Sequence, residues 1–82
     1  MSEPVLSDDG GGNISWVWSG DEPAGWIVWQ STDGGVSYSA FDVLPPGSRA
    51  DDGLGSGDWV YVTGSDGSGD QTLPTSNTVI LA

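Results

Sequence analysis

The sequence has no cysteine, no histidine and no lysine, and it sets a single arginine against 12 acidic residues. Without cysteine there is no disulfide, no thiol nucleophile and no thiolate metal site. Without histidine or cysteine, neither a Ser/His/Asp nor a Cys/His catalytic arrangement can be assembled. One basic side chain and a net charge of −11 leave nothing to neutralise phosphates, so nucleic acid is excluded as a partner. An anionic membrane surface is excluded on the same ground. No apolar run approaches transmembrane length. The opening MSEPVLSDDGGGN has neither a basic start nor a long apolar run, so it predicts no secretory signal. Helix is missing too, because no extended stretch carries a 3.6-residue apolar period free of Gly and Pro.

The acidic residues do not make up for these absences. Asp8-Asp9, Asp21-Glu22 and Asp51-Asp52 are adjacent pairs on turn-like sequence, not preorganised acid/base couples. Asp66-Gly67-Ser68-Gly69-Asp70 begins like a calcium loop. Gln71 stands where such a loop needs Gly, and no acidic residue closes it, so it reads as a plain turn. The chain is expected to be no enzyme and to hold no metal and no cofactor.

What is present suits small strands and tight turns. The chain has 82 residues, 14 of them Gly and five of them Trp. One domain of this length buries only about 60–65% of its unfolded surface. A few aromatics, each burying roughly 150–250 Å², can therefore carry its core. The stretch Gly25 to Ser39 organises the rest. Trp26, Val28 and Gln30 alternate with Ile27 and Trp29, which is the two-residue period of a strand. Ser31, Thr32, Asp33, Gly34 and Gly35 supply turn chemistry, and Val36 to Ser39 resume the alternation, so a β-hairpin is predicted.

Around this hairpin the chain divides into an N-terminal arm, 1–12, and a β-domain, 13–82. In the arm, Pro4-Val5-Leu6 predicts a short edge strand and Asp8 to Gly12 a flexible loop. Asn13 to Ser19 reads as a strand with Ile14, Trp16 and Trp18 on one face. Ala40 to Leu44 extends the return strand or starts another, until Pro45-Pro46 interrupts it. Gly47 to Gly57 reads as loop, with Leu54 plugging the core. Asp58 to Thr63 is a strand whose inward face is either Trp59 and Tyr61 or Val60 and Val62. Ser65 to Gly69 turns, and Asn77 to Leu81 is a last strand. The expectation is an all-β antiparallel sandwich of six or seven strands.

Four segments resemble a fibronectin type III-like domain over about 13–82. Ile14-Ser15-Trp16 is similar to that family's second strand, and Trp26-Ile27-Val28-Trp29 followed by Ser31 to its third. Asp58 to Ser65 resembles the sixth strand, and Pro74, Ser76, Asn77 and Val79 its closing P-x-S-N-x-V segment. The first strand is nearly missing. The family's corner tyrosine has no counterpart, with Trp59 near its place, so an immunoglobulin-like sandwich of other topology stays open. Separately, Ser31 to Tyr38 is similar to the Asp-box, S-x-D-x-G-x-T-W, of sialidase-type propellers. That resemblance implies a structural turn built on Ser31, Asp33, Gly34 and Gly35.

If Trp26 and Val28 face the core, Ile27 and Trp29 face away and form an apolar docking patch, the expected partner-binding residues. A free-standing module of this kind resembles the accessory proteins of bacteriophage particles. Its expected role is that of a structural, virion-located protein, made in a host cytoplasm, that decorates a capsid or attaches to a tail. The alternative is a carbohydrate-binding or adhesion module, extracellular, that uses exposed Trp on surface glycans.

Overall fold

The computed structural model describes residues 3–82, and residues 1 and 2 of the predicted arm lie outside it. Eight strand segments follow in order: β1 Val5–Gly10, β2 Asn13–Val17, β3 Gly25–Ser31, β4 Ser39–Leu44, β5 Ala50–Asp51, β6 Trp59–Ser65, β7 Gln71–Thr75 and β8 Val79–Ile80. There is no helix among the described residues. All pairings are antiparallel. The smaller sheet runs β1-β2-β5 and the larger β4-β3-β6-β7, with β8 pairing the far end of β6. The predicted all-β class holds, with eight segments instead of six or seven.

The two sheets close on one core. Leu6, Ile14 and Trp16 from the smaller sheet meet Trp26, Val28, Val60 and Val62 from the larger, with Leu54 and Leu81 added from outside the strands. Trp16 and Trp26 pack across the sandwich with ring centroids 5.7 Å apart. Alternation explains the choice on β3: with Trp26 and Val28 inward, Ile27 and Trp29 must face away. The strand from Asp58, left open by sequence, sends Val60 and Val62 inward and Trp59 and Tyr61 outward. Leu54 plugs the core as expected, anchored where its N–H meets the Gly12 carbonyl at 3.2 Å.

Three local expectations are corrected, and one strand is present that the sequence did not predict. Asp8 to Gly10 is strand, not loop, because β1 continues its ladder with β2 through a bulge, and the Asp8 carboxylate accepts the Gly10 N–H at 2.9 Å. The return arm of the hairpin begins at Ser39, not Val36, because Asp33 takes up the amides of Val36 and Ser37. Gly47 to Gly57 contains β5, which forms only because Ser15 and Ile14 pair with Ala50 and Asp51. Finally, β7 arises in a polar, Pro74-containing stretch that offers no alternating pattern.

The two rims of the sandwich differ. On one, the Leu6 N–H donates to Asn77 Oδ1 at 2.7 Å and Asn77 Nδ2 donates to the Leu6 carbonyl at 3.1 Å. The Ala82 N–H reaches Asp8 Oδ2, and Ser76 Oγ accepts the Val62 N–H at 2.9 Å. Segment 76–82 thus joins β1 to the larger sheet. The opposite rim is formed by β4 and β5, and among the described residues no hydrogen bond laces these two strands together.

Candidate functional site

The outer face of the larger sheet carries four aromatics, Trp29, Tyr38, Trp59 and Tyr61. Trp29 and Tyr61 are register partners on β3 and β6, and Ser31 and Trp59 are the next outward pair. The Trp29 and Tyr61 rings lie 6.2 Å apart and within 16° of parallel, and Tyr38 meets Tyr61 edge-on at 4.9 Å. Trp29 Nε1 donates to Thr63 Oγ1 at 3.0 Å, which fixes the indole flat along the face. All four aromatics are half-buried. Burial first, and Tyr38 second, push the Tyr61 phenol above its ordinary range, as expected of a water-poor surface. Val43 and Ile80, at 52% and 58% exposure, widen the apolar area.

The two residues expected to form the patch separate here. Trp29 lies on the face, half-exposed. Ile27 shares that face but is 0% exposed, so the expected exposed Ile27–Trp29 patch is corrected. Ile27 sits in register between Val43 and Thr63. The Trp29 indole is tied to Thr63, the β6 register partner of Ile27. Tyr61 and Tyr38, which the sequence reading did not assign to the patch, take its place in the aromatic array. The signal that finds them is the β3–β6 register, which no single strand contains.

The turn at one end of this face is built as its residues imply. Ser31 Oγ donates to Asp33 Oδ1 at 2.6 Å and accepts the Gly35 N–H at 2.9 Å. Asp33 Oδ1 also accepts the N–H groups of Val36 and Ser37, and Asp33 Oδ2 takes the Ser37 hydroxyl at 2.6 Å. These donors, the Ser31 and Ser37 hydroxyls foremost, hold the Asp33 carboxyl far below its ordinary range. Gly34 and Gly35 both have positive φ, +79° and +88°. A Cβ on Gly35 would fall 2.7 Å from the Trp59 ring, so glycine lets the turn lie down on that indole. The clasp therefore shapes the aromatic face while Asp33 itself stays turned into its own loop.

No protein family, curated protein or solved structure matches this chain. The arrangement has to be read from its own chemistry. It is an aromatic face on a molecule of net charge −11, and among the described residues no three metal-ligating side chains are gathered.

The single arginine is used internally. Its Nη2 donates to Glu22 Oε1 at 2.6 Å, and its guanidinium lies 5.3 Å from the centre of the Trp26 ring. Glu22 Oε2 also accepts Trp26 Nε1 at 2.6 Å and the Gly47 N–H at 2.7 Å. Arg49 foremost, then these donors, lower the Glu22 carboxyl from its ordinary 4.5 to about 2 against a desolvation cost. A depressed carboxyl stabilises the fold fully above its unfolded range and loses that contribution as pH falls through the folded value. Asp51, raised by burial and by Asp42, runs the other way and is relieved by acid. Glu22→Leu is expected to cost about 1–2 kcal/mol at pH 7 by removing the carboxylate from Arg49 and leaving the buried Trp26 N–H unpaired. Urea melts should show that difference shrinking between pH 4.5 and about 2. An equal difference at both ends would refute this role of the carboxylate.

Proposed function

We propose that this protein is a non-catalytic structural and binding module that docks onto a larger protein assembly through the outer face of its larger sheet. One observation carries the reading: the Trp29–Tyr61–Tyr38 array stays half-exposed on a sheet face turned away from the core. A sandwich strand needs one buried face, and here β3 and β6 bring large apolar groups to both. Aromatic groups at the centre of a surface patch are the usual anchors of an interface. The charge of −11 makes identical copies repel, so the fitting partner presents basic groups.

Within this reading the fold is fibronectin type III-like. That is supported by the β1-β2-β5 and β4-β3-β6-β7 strand orders and by the structural work of Ser76 and Asn77. The assembly is a bacteriophage particle, capsid or tail, whose repeated subunits offer the same site many times. A second reading, a glycan-binding module, is favoured by one feature: the near-parallel Trp29 and Tyr61 rings form a platform on which a sugar ring could stack.

The test is Trp29→Ser combined with Tyr61→Ser, assayed by co-sedimentation with phage particles and by thermal melting. Loss of a central aromatic anchor typically removes about 2 kcal/mol of binding, roughly a thirtyfold drop in affinity. Lost sedimentation with a retained fold supports docking. Unchanged sedimentation overturns it, and retention on a polysaccharide column that the double variant abolishes selects the glycan reading. Ile27 is left intact in this design, because its substitution would attack a fully buried position.

A further inference from the structure

The sheet edges are not equivalent. At β1 the Asn77 side chain occupies both the N–H and the carbonyl of Leu6. β7 contains Pro74, which cannot donate to a further strand, and β5 and β8 have two residues each. β4 is six residues long, SAFDVL, with no Pro and no Lys. Among the described residues, no hydrogen bond outside its ladder with β3 reaches its backbone. A bulge opposite Val28 and Trp29 falls at Phe41, which packs on the core, and leaves Asp42, Val43 and Leu44 in regular register with Val28, Ile27 and Trp26. An open edge of this kind is a template for an added strand.

The charge at that rim states which strand would fit. Asp42 on β4 and Asp51 on β5 lie against each other where the two sheets part, and burial together with Asp42 raises the Asp51 carboxyl. Asp51 Oδ2 is buried and accepts no N–H or O–H of the described residues, and the Asp42 carboxyl against it can bond to it only by sharing a proton. A shallow cleft lined by Asp9, Asn13, Asp51 and Asp52 opens beside it. Among the described residues the one cationic side chain, Arg49, is engaged with Glu22 at 2.6 Å. A second copy brings a further charge of −11.

We infer that β4 accepts an extended basic segment of a partner protein by edge pairing, with a Lys or Arg of that segment held between Asp42 and Asp51. The inference rests on the docking reading above and gives it a partner chemistry. The added strand would set alternate side chains beside Val43, on the same face as Trp29 and Tyr61, so edge and face form one continuous surface.

The probe is an eight-residue peptide alternating Lys and Val, added to the intact protein and followed by amide NMR and hydrogen exchange. One control is the same peptide N-methylated at every residue, which keeps the charge and leaves neither strand edge an N–H to pair with β4. The other is an alternating Glu/Val peptide. The expected result, with the first peptide alone, is shifted resonances over Asp42, Val43 and Leu44 and slowed exchange at those of their amides that point away from β3. Asp42→Asn with Asp51→Asn should weaken that binding about tenfold or more, the loss of one charge-assisted contact, with the fold checked by melting. Equal binding of the methylated peptide shows plain charge attraction and overturns the inference. So do shifts spread over the acidic loops, or no binding. Any of these, alongside Trp29-dependent sedimentation, removes the β4 site and leaves the docking face standing.

Discussion

Trp26→Ala is expected to lower stability by about 3–5 kcal/mol and to leave much of the protein unfolded at room temperature. Trp26 is 0% exposed and is the largest fully buried side chain. It faces Trp16 across the sheets at 5.7 Å, carries the Arg49 guanidinium on its ring and ties its indole N–H to Glu22. Its removal opens a cavity at the centre of the sandwich and releases the loop that holds the only salt bridge among the described residues. A domain of 82 residues sits at the low end of the usual stability range, so a loss of this size consumes most of it. Tryptophan fluorescence and far-UV circular dichroism against urea measure the effect. Trp26→Phe, which keeps most of the volume, should recover the fold and lose the Glu22 hydrogen bond. A cooperative Trp26→Ala transition near the wild-type midpoint would show that the core lies elsewhere.

Gly12→Ala is expected to cost about 2–4 kcal/mol, from a left-handed backbone and a steric clash together. Gly12 has φ +83°, and a Cβ there would stand 2.2 Å from the Leu54 carbonyl oxygen. That atom is backbone, so no side-chain rotation relieves the clash. The Gly12 carbonyl also receives the Leu54 N–H, so any shift pulls on the residue that plugs the core. Gly34→Ala is the internal comparison. Its φ is +79°, yet nothing lies within 4 Å of the added Cβ, so only the backbone term of about 1 kcal/mol applies. Urea midpoints of the two variants separate the contributions. Equal losses would mean that the chain at Gly12 yields without disturbing Leu54.

The exposed array was only partly legible in advance. Trp29 could be placed on the outer face from the alternation of β3 alone, since Trp26 and Val28 on the other face are the core. Tyr61 becomes its neighbour through a pairing 32 residues distant, the difference between positions 61 and 29. Tyr38 reaches Tyr61 only because the loop from Ser31 folds back over the sheet. Ile27 followed the same alternation as Trp29 and still ended fully buried, because an outward position says nothing about what neighbouring strands lay beside it.

By itself, then, the sequence determined what is decided within a few residues. The turn at Ser31 to Ser37 is written in side chains that bond amides two to four positions away. The alternation of β2 and β3, the exclusion of helix and the negative charge are equally local or compositional. Tertiary structure decided which face of β6 is inside, since Trp59-Tyr61 and Val60-Val62 alternate equally well. It also decided that Ala50–Asp51 and Gln71–Thr75 are strands, whose backbone groups find partners only on β2 and β6. It set which rim of the sandwich is laced and which stays open. A hydrogen bond between distant strands satisfies whatever residues the register brings together. Its pattern is therefore fixed by how the sheets bury their large side chains, not by the residues of the strand alone.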